Sequence, residues 1–189
     1  SDLQAAPPTG DGPPSRSEAA PGAPCAVEMT ATPGAGAMLG LEVVAPCQAG
    51  ARVTLHHHGM VIGERMDDAG RLRMSLPALT ERAVVLASFP DGSGGSVSAE
   101  VSSVPFYDRV VLQWQGGAGL QLHALEYGAG YFEDGHVWNG SAGTLAAAAG
   151  GEGGFLTTLG DPALPQPRLA EVYSFPTVTA ARSGAVALS

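Results

Sequence analysis

Residues 51–66 read ARVTLHHHGMVIGERM, and this stretch shows the pattern that decides the fold class. Hydrophobic residues occupy alternate positions in Arg52–His57, and a second apolar run follows the glycine at Met60–Met66. A period of two is typical of a half-buried β-strand, and a glycine between two such runs is a turn signal. The stretch therefore predicts two successive strands joined by a tight turn.

Comparable short runs recur along the chain, separated by Pro-Gly, Asp-Gly, Gly-Gly and Ala-Gly pairs. Their spacing of about 8–12 residues is typical of a sandwich or barrel and not of a parallel α/β sheet. We therefore predict an all-β protein with one or two antiparallel β-sandwich modules of the immunoglobulin or prealbumin type. The predicted strands are Ala26–Ala31, Leu39–Ala45, Arg52–His57, Met60–Met66, Leu72–Leu76, Ala83–Ser88, Ser96–Val104, Arg109–Gln115, Leu120–Tyr127, His136–Trp138, Glu171–Phe175 and Ala185–Leu188. One short helix is predicted at Thr144–Ala149, with Ser141 as a candidate cap, and a loop at Asp161–Pro167.

Composition divides the chain into a tail and two modules. Residues 1–24 contain six prolines and three glycines, so they cannot bury enough apolar surface to offset the entropy of ordering. We expect a tether that leads from a signal-cleavage site or from a membrane anchor upstream of Ser1. The DGSGG run at Asp91–Gly95 is either a boundary between β modules 25–92 and 96–189 or a long hairpin turn within one domain. Two modules are the favoured interpretation.

The two cysteines, Cys25 and Cys47, are expected to form one disulfide. A bridge there would close a loop of a little over 20 residues, which stabilises a fold by about 3 kcal/mol in the chain-entropy model. Disulfides persist in oxidising compartments, so this pairing favours export. The alternative is two buried thiols in a cytosolic protein.

Charge and composition exclude several partners. The formal net charge is −9, lysine is absent and no cluster of arginines occurs, so we expect neither nucleic acid nor direct lipid binding. The chain also lacks an apolar run of about 18 residues and an export signal, which predicts that any signal either has been removed or is not part of this sequence. We expect a bacterial periplasmic or cell-surface protein with a protein partner or self-assembly.

Part of the first module resembles a known group of domains. Residues 51–79 and 82–92 contain Asp-x-x-Gly-Arg at 67–71, then an apolar strand that closes on Pro-Ala at 77–78. In that order, these features resemble a prealbumin-like, or carboxypeptidase-regulatory-like, β-sandwich domain. The resemblance implies a non-catalytic module used for adhesion, stiffness or docking. The histidine triplet and the cysteine pair are departures from that group.

The whole chain also resembles an uncharacterised family of exported bacterial proteins that is sometimes labelled translocase. The resemblance lies in the segments CAVEM, GLEVVAPC, LHHHGMV and ASFPDG. None of these residues supports a translocase activity, so the resemblance implies export alone.

Local motifs of several enzyme classes are missing from the sequence. It contains no Gly-x-Ser-x-Gly, His-Glu-x-x-His, Cys-x-x-Cys or Gly-x-Gly-x-x-Gly. Without lysine it also offers neither a Schiff-base nor a phosphate-loop lysine. We therefore expect no catalytic residues and no obligatory cofactor.

The histidine triplet is the candidate metal site. If Val53 and Leu55 face the core, then Thr54, His56 and His58 face outward on one strand. Two imidazoles at i and i+2 can converge on Zn²⁺, Cu²⁺ or Ni²⁺. A third ligand would come from elsewhere, for instance His123, His136, Glu133 or Asp134. The alternative is an exposed polar face with one inward histidine.

The segment EYGAGYFEDGHVW at Glu126–Trp138 combines aromatic rings with carboxylates. Such a mixture is typical of a sugar-binding face and of a protein-interface hot spot, and it also occurs in hairpins whose rings are simply core. A pair such as Glu126 and Glu133 would serve a glycosidase only at a suitable carboxyl separation. The candidate binding residues are Tyr127, Tyr131, Phe132, Glu133, Asp134, His136 and Trp138.

These observations favour a non-catalytic, exported structural or assembly subunit that docks on a larger protein complex or a cell-surface assembly. The alternative is a carbohydrate- or metal-binding β-sandwich module. A hydrolase of unfamiliar type, with carboxylates near residue 133, is a third interpretation.

Overall fold

The computed structural model describes residues 23–178 and 184–189, which form short antiparallel strands and one helix. The tail predicted at residues 1–24 lies almost wholly outside these residues. The strands are β1 Glu28–Gly34, β2 Met38–Val44, β3 Arg52–His57, β4 Met60–Arg65, β5 Arg71–Pro77, β6 Arg82–Ser88, β7 Gly94–Glu100, β8 Tyr107–Gln115, β9 Ala124–Glu126, β10 His136–Val137, β11 Phe155–Leu159, β12 Arg168–Pro176 and β13 Val186–Leu188. The helix, α1, spans Leu145–Ala149.

The described strands form four antiparallel sheets. Their orders are β1-β2-β5 in sheet A, β4-β3-β6-β7 in sheet B, β11-β12-β8 in sheet C and β10-β9-β13 in sheet D. The predicted all-β, antiparallel fold class is therefore confirmed, and the arrangement is sandwich-like.

Sheets A and B bury their alternating side chains in one large core. Leu39, Leu55 and Val85 are completely or almost completely buried there, as the period of two in their strands requires. Strand β12 of sheet C also contributes Ala170 and Val172 to this core. Residues late in the chain thus pack against the first sheets.

The opposite face of β12 covers a second, smaller core. Tyr173 lies there with Ala124 and Val137 of sheet D, with Leu156 of β11 and with Leu122, which precedes β9. Since both faces of β12 are buried, this strand separates the large core from sheet D, which carries the candidate binding segment.

A partly buried arginine joins β8 of sheet C to the segments that flank β2 and β5 of sheet A. Arg109 on β8 donates from Nε to the Ser174 hydroxyl at 2.8 Å and from Nη1 to the Ala37 carbonyl at 2.8 Å. The carbonyls of Gly36 and Ala78 accept from the same guanidinium. Burial lowers the pKa of Arg109 to about 10, so the group stays charged at neutral pH. Its charge is satisfied by backbone dipoles and, among the described residues, by no carboxylate.

The predicted disulfide is confirmed. Cys25 and Cys47 are bonded, with 5.2 Å between their Cα atoms, and the bond joins the start of β1 to the turn after β2. No helix in the described part of the chain is long and apolar enough to cross a membrane.

Several local predictions are corrected by the structure. Thr144, and not Ser141, caps α1, because its Oγ1 accepts from the Ala147 amide at 3.1 Å, whereas Ser141 pairs with Trp138. Strand β11 was not predicted, and the strand predicted at Leu120–Tyr127 is only β9. The DGSGG run is the turn of the β6–β7 hairpin within sheet B. The division of the chain into two modules stays a prediction.

Candidate functional site

Sheet D positions the aromatic segment. Strands β9 and β10 pair with Leu125 opposite His136, and residues 127–135 form the connection between them. Paired residues of an antiparallel ladder lie on the same face, so Leu125 and His136 share one face of the sheet. Glu126 points to the opposite face, toward the small core.

Five rings pack together on the His136 side of sheet D. This aromatic cluster consists of His123, Tyr131, Phe132, His136 and Trp138. The His136 and Trp138 rings are nearly parallel, 10° apart, with centroids at 5.6 Å. The Phe132 ring stands edge-on to both, at 5.6 Å from His136 and 5.8 Å from Trp138. Both geometries are favourable arrangements of aromatic rings.

The cluster needs glycine at position 140. A Cβ atom there would overlap the six-membered ring of Trp138, so the Gly140 backbone lies directly against that ring. The turn at Asn139–Gly140 therefore covers part of the Trp138 ring and fixes its position in the cluster.

Phe132 and Tyr131 are the exposed members of the cluster. Phe132 is 79% exposed and has a φ of +67°, a left-handed conformation that is rare for a bulky residue. Tyr131 is 50% exposed, and its hydroxyl shares a 2.6 Å hydrogen bond with the Ser189 hydroxyl. A strained backbone that presents a large apolar ring to solvent is a feature that often accompanies a functional site.

A chain of hydrogen bonds holds Phe132 in this conformation. The Phe132 amide donates to His136 Nδ1 at 2.8 Å, and His136 Nε2 lies 2.8 Å from His123 Nδ1. Because His136 Nδ1 accepts, a neutral His136 carries its proton on Nε2 and donates it to His123. His123 then carries its own proton on Nε2. The network therefore fixes the tautomers of both rings.

This arrangement disfavours a positive charge on His136. The side chain is only 3% exposed, and burial is the main cause that lowers its pKa below the usual range. The neighbouring His123 lowers the pKa of His136 further. Both effects act together with the Phe132 amide, which leaves no room for a proton on Nδ1.

On the opposite face of β9, Glu126 closes the small core. Its Oε1 atom accepts from the Tyr173 hydroxyl and from the Gly154 amide, each at 2.6 Å. Burial, and then the Glu126 carboxylate, raises the pKa of Tyr173 well above its usual range. Glu126 thus has a structural anchor in the core.

A cleft of about 430 Å³ opens beside Glu126. Its wall includes Tyr127, Asp134 and Glu152 together with glycine backbone. Asp134 lies only two residues from Phe132, so the acidic cleft and the aromatic cluster adjoin along the chain. Glu133 takes no part in the cleft wall; its Oε2 accepts from the Gly130 amide at 2.9 Å.

The histidine triplet is divided between the core and the surface. His57 is 1% exposed, whereas His56 is exposed on the outer face of β3. His58 is also exposed, but it is the first residue of the turn after β3 and has a left-handed φ of +45°. Its Nε2 lies 2.8 Å from the Thr80 hydroxyl. Within residues 23–178 and 184–189, no group of three or more His, Cys, Asp or Glu side chains is arranged to hold a metal ion. Metal binding by His56 and His58 stays a prediction.

The predicted binding segment therefore falls on two faces of sheet D. Tyr131, Phe132, His136 and Trp138 come together in the aromatic cluster, whereas Tyr127 and Asp134 line the cleft. Sequence reasoning missed Tyr173 and Ser189 as partners, because they lie 47 and 58 residues from the side chains they bond. No local signal marks such long-range contacts.

Comparison of the chain with protein-family models, with curated proteins and with solved structures gave no match. The resemblances to prealbumin-like domains and to an exported bacterial family stay predictions.

Proposed function

We propose that this protein is a non-catalytic, exported subunit that docks on a larger protein assembly through the Tyr131–Phe132 surface of the aromatic cluster. The observation that carries the proposal is the exposure of Phe132, 79%, on a backbone held in a left-handed conformation. The proposed location is the bacterial periplasm or cell surface, which the Cys25–Cys47 disulfide supports.

Preorganisation is what distinguishes Phe132 from the other exposed hydrophobic residues. Its ring contacts His136 and Trp138, and its amide is bonded to His136 Nδ1. A ring that is already ordered loses little conformational entropy on binding, and aromatic residues dominate the energetics of protein interfaces. Tyr131 beside it adds a ring with a polar end.

The hydrogen bonds of the histidines support a binding role over catalysis. Among the described residues, no histidine is bonded to a serine or cysteine side chain, and the Thr80 hydroxyl beside His58 donates to the Arg82 carbonyl and not to the ring, so neither arrangement activates a nucleophile. In His136, one ring nitrogen is hydrogen-bonded to a backbone amide and the other to His123.

Capture from the native source with matched variants tests this function. Full-length chain, Phe132→Ala and Phe106→Ala are used as baits, and co-purified proteins are quantified by mass spectrometry. Phe106 is 51% exposed outside the cluster, so it controls for the loss of an exposed ring. We expect a defined partner whose recovery falls at least about tenfold with Phe132→Ala, the effect of losing about 1.4 kcal/mol of binding energy, and stays unchanged with Phe106→Ala. Equal recovery with all three baits contradicts the proposal.

Carbohydrate binding is a second candidate, and the cleft beside Glu126 favours it. Carboxylates of Asp134 and Glu152 in its wall can accept hydrogen bonds from sugar hydroxyls, and Tyr127 of the same wall supplies a ring. A glycan array with wild type and Asp134→Ala tests this candidate. Glycan signals that disappear in the variant support this function, and silence on the array eliminates it.

Metal binding by the triplet is tested separately. Zn²⁺, Cu²⁺ and Ni²⁺ are titrated by calorimetry into wild type and into His56→Ala/His58→Ala. Binding that is lost in the double variant supports a site there, and identical isotherms eliminate it.

A further inference from the structure

The hydrogen-bond chain through His123 and His136 admits only a neutral His136. Its Nε2 carries a proton that is donated to His123 Nδ1. A second proton on His136 would sit on Nδ1, where the Phe132 amide already points its hydrogen. Protonation of His136 therefore brings two N–H groups face to face and breaks the hydrogen bond from the Phe132 amide.

The bond that breaks is the one that holds a strained residue. A left-handed conformation is unfavourable for a non-glycine residue, and it persists only where the surroundings impose it. Here the contacts that impose it are the hydrogen bond from the Phe132 amide to His136 and the ring contacts with His136 and Trp138. Loss of this hydrogen bond removes the main interaction that keeps Phe132 in the left-handed conformation.

Among the described residues, no carboxylate side chain bonds or pairs with either histidine of the pair. Glu126 lies on the other face of β9 and bonds Tyr173, while Glu133 bonds the Gly130 amide. Asp134 is exposed at the cleft, and the Tyr131 hydroxyl bonds Ser189. Within the described part of the chain, no ion pair involves either imidazole.

We infer that the histidine pair is a pH-sensitive latch, which orders the Tyr131–Phe132 turn at neutral pH and releases it in mildly acidic solution. The two states differ in proton binding: the released turn exposes an ordinary imidazole, which titrates near pH 6.5, while the ordered turn excludes the proton. Acid therefore favours release, in proportion to the protons that the released form takes up. As a regulation of docking, this inference rests on the proposed function, but the ordering of the turn is measurable without any partner.

Hydrogen exchange of the Phe132 amide measures the latch directly. In the full-length protein, the protection factor of this amide, corrected for intrinsic exchange, is compared at pH 7.5 and pH 5.0 by NMR. We expect the protection factor to be lower at pH 5.0. The decrease should be about tenfold for each unit by which the pKa of His136 in the ordered turn lies below 6.5, and its midpoint should coincide with the titration of His136. The amides of Leu55 and Val85 in the large core report whether the fold persists.

The decisive variant is His136→Asn. Its Oδ1 can accept from the Phe132 amide in the place of Nδ1 but does not titrate, so protection is expected to be equal at both pH values. His56→Asn, which removes an exposed imidazole, is the matched control and should behave as the wild type.

Two results overturn the latch. One is a Phe132 amide that stays equally protected in the wild type while His136 titrates; the other is His136→Asn losing protection in acid as the wild type does. Should His136→Asn fail to fold, the wild-type midpoints alone decide, because release and His136 titration must then coincide. A working latch in a protein that captures no partner would refute the docking function and leave the latch intact.

Discussion

The two buried histidines of this protein have the same chemistry and different surroundings. His57 accepts from the Leu79 amide at Nε2 and lies 2.8 Å from the Val84 carbonyl at Nδ1, between elements of the large core. His136 accepts from the Phe132 amide, but its second nitrogen meets another histidine, and the donor belongs to an exposed, strained turn. Both are neutral, and burial lowers the pKa of each.

The comparison shows how the same interaction serves stability in one place and presentation in another. Around His57 the partners are Val84 in β6 and Leu79 in the turn between β5 and β6, which packs against the large core, so loss of the ring disturbs the sandwich itself. Around His136 the partner is a turn that holds a ring out to solvent. Its loss disturbs that ring and little else, because exposed turns open at low cost.

The largest effect is expected for Arg109, the partly buried cation that bonds backbone carbonyls beside the large core. Arg109→Ala removes the guanidinium from the carbonyls of Gly36 and Ala78 and from the Ser174 hydroxyl, at about 1–3 kcal/mol each for those that water cannot reach, whereas the Ala37 carbonyl keeps the Ala78 amide as a donor. We expect the free energy of unfolding to fall by at least about 3 kcal/mol in urea denaturation. Arg82→Ala, on the surface, should change it by less than about 0.5 kcal/mol. Equal losses of unfolding free energy in the two variants would show that Arg109 contributes no more to stability than an exposed arginine.

Substituting the two histidines sharpens the comparison. His57→Leu leaves the Leu79 amide and the Val84 carbonyl unpaired in the core, so we expect a loss of about 2–4 kcal/mol in thermodynamic stability. His136→Leu should cost the fold much less, while abolishing protection of the Phe132 amide. If chemical denaturation shows the same loss of stability in both variants, then His136 contributes to the stability of the fold as much as His57 does, and the comparison is wrong.

Acid provides a graded test of the large core. Since burial lowers the pKa of His57 in the folded state, the unfolded chain binds more protons below about pH 6.5. The free energy of unfolding should therefore be constant above that pH and fall below it, by at most about 1.4 kcal/mol per pH unit for this one group. His57→Gln should flatten this part of the stability profile, and His56→Gln, at an exposed site, should not.

The smallest effect is expected at Phe132. Its ring is 79% exposed, so Phe132→Ala should change global stability by less than about 1 kcal/mol. Leu55→Ala, at a side chain that is 1% exposed, should cost about 2–5 kcal/mol. Thermal denaturation of the two variants gives both values; a Phe132 variant as unstable as Leu55→Ala would show that this ring is part of the core.

Much of the fold could be predicted from local patterns. Alternation within Arg52–His57 placed His57 inside and His56 outside, and two cysteines allowed one pairing. Strand β11, FLTTL, was missed, because it is short and stands between the glycine-rich run Gly150–Gly154 and the proline-rich loop Asp161–Pro167. The cap of α1 was misplaced, since Ser141 and Thr144 are both good caps and only the structure shows that Ser141 is engaged with Trp138.

The site could be predicted only in composition. The run of rings and acids from Glu126 to Trp138 marked a candidate surface, but the sequence contains nothing that separates Glu126, bonded to Tyr173 in the core, from Asp134 at the cleft. Nor does it show that Phe132 is held outward by His136. These roles depend on register and on partners far along the chain, which a local pattern does not encode.

Site-specific photo-crosslinking tests docking by the aromatic cluster most directly. A photoreactive phenylalanine analogue is placed at position 132, or at position 106 as the control, in the full-length chain expressed in its native source. The account predicts a discrete crosslinked protein from position 132 that is absent from position 106 and weaker when the sample is irradiated at pH 5.0. No crosslink from position 132, or the same product from both positions, would contradict it.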